Sequence, residues 1–219
     1  MKLISVTSAR ATWLFDTFRL NPRGLSNKIL IDGITQRYSF SKSPSSMLDQ
    51  EDGGLVFDQE EFVTEDGNRI YVSVKVYNDG LVGSTSSSTQ HTTEFLVDLS
   101  LYIVSLGFSL PPQENIKKRF ASIVLVESDI ELMRINPKLE RVIDFIHARL
   151  VTMDGKSRTY QVSGIGAWTE DTNKPYAPMA FRFERRVGSP LQENQYYSEA
   201  SLQTDEHLEL LNQLERMLS

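Results

Sequence analysis

Between Thr93 and Leu106 the chain reads TEFLVDLSLYIVSL, and apolar side chains fall on nearly every side of a 3.6-residue repeat. Phe95, Leu96, Leu99, Tyr102, Ile103 and Leu106 recur at helical spacing, and Val97, Leu101 and Val104 fill most of what remains. Such a helix must be covered on nearly every side, so the pattern predicts a central buried helix over about 93–106 with sheet packed around it. Thr92 or Thr93 is the expected cap. Gly107 and Pro111-Pro112 end the element.

Elsewhere the period is mostly two. Residues 12–20 alternate, and a turn is expected at Asn21-Pro22-Arg23-Gly24, where Pro fixes φ and Gly permits φ > 0. Ile29–Ile31 and Ile34–Phe40 read as a hairpin closed at Asp32-Gly33. Ser41–Gly54, rich in Ser, Pro, Asp and Gly, reads as a loop. Leu55–Val63 and Ile70–Tyr77 follow as strands, and two Asp-Gly turns around the second predict an antiparallel meander. Phe120–Val126 is a β-branched apolar run, expected to be buried on both faces. Asn136-Pro137 opens a second helix, to about 150, with Leu139, Val142, Ile143, Ile146 and Leu150 on one stripe. Tyr160–Trp168 and Met179–Val187 read as paired strands, and Tyr196-Tyr197 as a short extended piece. A third helix runs over about 204–218, capped by Thr204, with Leu208, Leu211, Leu214 and Leu218 facing inward.

The fold class expected is therefore α+β: mixed, largely antiparallel sheet around a central buried helix, with two further helices. At 219 residues one domain is expected, divisible near residue 127. Apolar residues at 40% and charged residues at 24% exclude a disordered or fibrous chain. A net charge of −6 argues against a general nucleic-acid binder. With no cysteine, disulfides, thiolate nucleophiles and Cys-ligated metals all drop out. The N-terminus lacks a signal-peptide pattern and no apolar run reaches membrane length, so a cytoplasmic protein without a membrane span is expected.

Candidate chemistry is thin. The Ser84–Thr93 run places hydroxyls and free N–H groups at a helix start, where an anion can bind; Ser88, Thr89, His91 and Thr92 are the residues concerned. Arg182 and Arg186 share a strand face and can fork onto phosphate or carboxylate, although Glu184 between them suits a salt-bridge ladder better. The run lacks phosphate-loop glycines. No histidine lies at metal-ligand spacing, so neither metal nor cofactor is expected. His207, beside Asp205 and Glu206, reads as a surface residue. No Gly-x-Ser-x-Gly or Ser-x-x-Lys occurs in a suitable context, and no catalytic residue is assigned. Tyr71, Tyr77, Tyr196 and Tyr197, with Leu210 and Met217 on the last helix, are the candidate interaction surface. These features favour a non-enzymatic interaction module or assembly subunit with protein partners, a homodimer among them. The competing expectation is an enzyme or small-ligand binder that holds an anion at Ser84–Thr93 with Arg182 and Arg186.

Overall fold

A computed structural model describes all residues except 16–19, 21–24, 47, 130–136, 158–159, 161, 171–176 and 219. The turn expected at Asn21–Gly24 and the cap expected at Asn136 lie outside the described residues. The order of elements is β1 (Lys2–Leu14), α1 (Asn27–Tyr38), β2 (Gln50–Glu51), β3 (Gly54–Val63), β4 (Arg69–Tyr77), β5 (Gly80–Thr85), α2 (Thr89–Ser105), β6 (Lys117–Glu127), α3 (Pro137–Asp154), β7 (Gly164–Ala167), β8 (Phe181–Arg185), β9 (Gln195–Ala200) and α4 (Thr204–Leu218). The fold is α+β with antiparallel sheet, as the alternation predicts. The chain divides into a larger unit, Ser5–Ile123 with Ser201–Asp205, and a smaller one, Met1–Ile4 with Val124–Ala200 and Glu206–Ser219.

In the larger unit the strand order is β2-β3-β4-β5-β1-β6. β3, β4 and β5 form the expected meander, and β5 pairs onward with β1 from Ala9↔Thr85 to Leu14↔Gly80. The alternation is clean. Val72, Val74 and Val76 of β4, Leu81 of β5 and Ala9, Ala11 and Trp13 of β1 are buried. Their neighbours Tyr71, Ser73, Lys75, Arg10 and Thr12 are not. α1 and α2 both pack on the buried side. A Cβ on Gly83 would meet Leu96 and Thr92 of α2 at 3.0 Å. Tyr38 and Phe40 stack edge-on and tilted against Phe95 and Phe57.

Five expectations change here. β1 begins at Lys2, well before residue 12. Residues 29–38 form the helix α1, not a hairpin. Leu30, Ile31, Ile34 and Tyr38 are its buried face, spaced i, i+1, i+4, i+8, and Asp32-Gly33 is a mid-helix contact rather than a turn. The Leu106 side chain lies 2.6 Å from where a Cβ on Gly33 would stand, and the Tyr102 hydroxyl donates to the Gly33 carbonyl at 3.1 Å. Close helix approach, not a turn, explains that glycine. α2 starts at Thr89, four residues early, because Ser88 and not Thr92 or Thr93 caps it. α2 is also buried along one face only. Phe95, Leu96, Leu99, Ser100 and Ile103 face the sheet, while Val97, Leu101 and Val104 form an outer row, with Leu101 69% exposed. Finally, β6 is not buried on both faces: Ser122, Val124 and Val126 are buried, and Ala121, Ile123 and Leu125 between them are only half-buried.

α1 and α2 are clipped by one cluster. Asp98 accepts from Arg37 at 2.7 Å and from the Tyr38 hydroxyl at 2.5 Å, and the Arg37 guanidinium lies 4.8 Å from the Tyr102 ring centre. Burial, then the bond to Asp98, holds the Tyr38 phenol above its ordinary pKa.

In the smaller unit the order is β6-β9-β8-β7, with β7·β8 and β8·β9 antiparallel. Phe183 and Tyr196 stack at 4.8 Å between ring centres, and Leu211 of α4 is fully buried. α3 continues to Asp154, and Gly155 at φ +70° ends it. No described residue of α3 is buried.

Candidate functional site: the start of α2

β5 ends at Thr85 and α2 begins at Thr89, so Ser86–Ser88 alone turn the chain. The Ser88 hydroxyl accepts from the His91 N–H at 3.1 Å, an ordinary N-cap. Thr89 is fully buried. Its N–H donates to the Thr204 hydroxyl at 3.0 Å, and the Thr204 N–H donates to the Thr89 hydroxyl at 2.9 Å. The threonine predicted to cap its own helix thus caps α2, and each helix start satisfies the other. Gln90 Nε2 adds a 2.6 Å bond to Asp205. The buried Thr92 hydroxyl lies 3.0 and 2.9 Å from the carbonyls of Ala9 and Ser88. Ser88, Thr89 and Thr92 are therefore engaged by the fold itself.

His91 has company that spacing does not reveal. Its Nδ1 lies 2.7 Å from the Ser87 hydroxyl, and its Nε2 lies 3.5 Å from Asp66. The meander explains this: the β3–β4 turn and the end of β5 fall at the same end of the sheet. The sequence shows Asp66 only as part of an Asp-Gly turn. The Asp66 carboxylate accepts from the Thr64 hydroxyl and from Asn68 Nδ2 at 2.6 Å, and the Thr64 bond chiefly holds its pKa below the usual carboxylate value.

Ser, His and Asp in a row invite a nucleophile reading, and the geometry decides against it. Asp66 is bound more closely by Thr64 and Asn68 than by His91, and its side chain is 56% exposed. Neither described cavity includes any of the three residues. His91 reaching back to Ser87, while its own N–H meets Ser88, is a first-turn capping arrangement. The larger described depression, about 280 Å³, is lined by Lys42, Asp49 and Glu51 among others, and its charges are satisfied. Lys42 pairs with Glu51 at 2.8 Å, and Asp49 accepts from Ser45 and Ser46. Among the described residues no group of three or more His, Cys, Asp or Glu is placed to hold a metal.

The other candidates are placed as follows. Arg182 and Arg186 belong to the smaller unit and the Ser84–Thr93 run to the larger. Arg182 pairs across the strands with Glu199 at 3.1 Å, and Arg186 donates to the neutral Gln195 at 2.8 Å. Tyr71 is 65% exposed and Met217 is 73% exposed. Tyr77 is half-buried with its ring over Gly54, Tyr197 donates to Glu199 at 3.1 Å, and Leu210 is half-buried. Tyr196 is fully buried, so it is a core residue and not an interaction surface.

His207 is likewise no surface residue. It is fully buried, with Nε2 2.9 Å from the Ser198 hydroxyl and its ring against Phe181. Burial pushes its pKa down to about 4. The helical register places it one turn before Leu211, on the inward stripe, which outweighs its charged neighbours in the sequence.

The chain matches no family model, and comparison with curated proteins returns no match. Among the described residues no helix is long and apolar enough to cross a membrane.

Proposed function

We propose that this protein is a non-enzymatic interaction module, a subunit that associates with protein partners in the cytoplasm. One observation carries the reading. α3 presents Leu139, Val142, Phe145, Ile146 and Met153 to solvent, with Met153 80% exposed, and buries none of its described residues. Helices owe most of their stability to packing an apolar face, so a helix with its stripe in water is one whose packing partner is another molecule. A second copy of the chain is the commonest such partner. The anion-binding alternative gains no observation, since the hydroxyls and arginines it needs are engaged within their own units.

Size-exclusion chromatography with light scattering tests this. The wild type is expected to exceed the monomer mass at micromolar concentration, and Val142→Asp with Ile146→Asp to return it to a monomer with an unchanged circular dichroism spectrum. A wild-type monomer that retains no protein through α3 overturns the proposal.

A further inference from the structure

The sheet of the larger unit has one dry face and one wet face, and the wet face has a sign. From β3 to β6, no outward-pointing side chain within this unit is buried. Among the strands of this face the acids fall on β3, where Asp58 bonds Ser73 and Glu61 pairs with Arg69 at 3.1 Å; Asp52 joins them from the β2–β3 turn. On β5, on β1 from Val6 and on β6 up to Ile123 the outward positions hold no acid: Val82 and Ser84, then Val6, Ser8, Arg10, Thr12 and Leu14, then Lys117, Arg119, Ala121 and Ile123, with Glu127 ending the same alternation outside this unit. Arg10, Lys117 and Arg119 are exposed and have no ion-pair partner among the described residues. Registers tie β5 and β4 to Arg10 and to Thr12 beside it on β1. Arg10 stands opposite Ser84, which stands opposite Ser73, and Thr12 stands opposite Val82, which stands opposite Lys75. Lys75 pairs with Asp52 at 3.8 Å. Two positions beyond Ser73 on the same face of β4 is the exposed ring of Tyr71.

We propose that this face binds single-stranded nucleic acid, with backbone phosphates on Arg10, Lys75, Lys117 and Arg119 and a base stacked on Tyr71. The net charge of −6 does not speak against it, because a net charge averages over faces and a phosphate meets only one. A sheet face with cations, hydroxyls and an exposed aromatic ring suits an unpaired strand whose bases can splay onto it. It does not suit a duplex, whose grooves call for a protruding element. An acidic peptide would satisfy the cations but leave Tyr71 without a role.

Fluorescence anisotropy with a labelled oligo-uridine of about 15 nucleotides tests the proposal, since single-strand sites run to about that size. Four phosphate contacts predict about a 50-fold loss of affinity between about 50 and 200 mM salt, and Arg10→Gln with Arg119→Gln should cut this to about 7-fold. Tyr71→Ala should weaken binding about 10-fold with the salt slope unchanged. Lys117→Gln, at the first residue of its strand, provides a second readout should the double variant misfold. No binding at about 50 mM salt, a salt slope indifferent to these substitutions, or equal binding of a duplex or of polyglutamate overturns it.

Discussion

α2 and α3 are of similar length and both carry enough apolar residues to need cover, yet they end differently. α2 buries Phe95, Leu96, Leu99 and Ile103 at zero exposure and leaves Val97, Leu101 and Val104 outside. α3 buries nothing among its described residues. The contrast shows that an apolar stripe states a need for burial and not where that need is met. In α2 the sheet meets it within the chain, and in α3 no described residue has it met.

The sharpest test is to delete methylenes from the row that is met internally. Leu99→Ala removes a side chain with no exposure, and core truncations of this kind cost about 2–5 kcal/mol. Urea denaturation should show that loss, whereas Ile146→Ala on α3, measured on the monomer, should fall within about 0.5 kcal/mol. Equal losses at the two sites would erase the distinction between the helices.

α4 extends the comparison to a polar residue on a buried stripe. His207 titrates near 4 in the fold and near its ordinary value when unfolded. A depressed histidine pKa means that the unfolded chain takes up the proton first as pH falls. Stability should therefore be complete above about pH 6.5 and drop by about 1.4 kcal/mol per pH unit down to about pH 4, some 3 kcal/mol in all. Urea midpoints of wild type and His207→Gln across that range measure it. The wild-type curve should be steeper by that amount, and parallel curves would put the histidine outside the core.

The reciprocal bonds between Thr89 and Thr204 come next in size. Thr89→Val or Thr204→Val leaves a buried N–H without an acceptor, for about 1–3 kcal/mol. Each substitution removes one hydroxyl acceptor and leaves the other bond's N–H and hydroxyl in place, so the double variant should lose about the sum of the two. A single variant that loses nothing would mean that the other helix start finds its acceptor elsewhere.

These elements also mark how far the sequence is legible. The meander, the α+β class, α3 and α4 follow from local alternation, turn chemistry and helical stripes, and the structure has them where the pattern puts them. α1 was hidden because Asp32-Gly33 has the form of a turn, and only Leu106, more than seventy residues on, shows why the glycine is there. Ser87 and Asp66 were hidden around His91 for the same reason: a turn between two strands meets a helix start only once the meander is folded. Ser88, Thr89 and Thr92 were legible as residues at a helix start, but their partners, Ala9 and Thr204, come from distant parts of the chain. Periodicity shows which face wants cover, and it is silent about long-range partners.

The smallest expected effect separates the two rows of α2 itself. Leu101 sits two residues beyond Leu99 on the same helix, in the same stretch of apolar sequence, and is 69% exposed where Leu99 is fully buried. Transfer from water scales with the area removed, so a side chain that stays in water contributes little to folding, whatever its hydrophobicity. Leu101→Ser should change stability by about 0.5 kcal/mol or less in urea. A loss approaching that of Leu99→Ala would mean that the outer row is covered in solution, and light scattering on the same variant would show whether a second copy covers it.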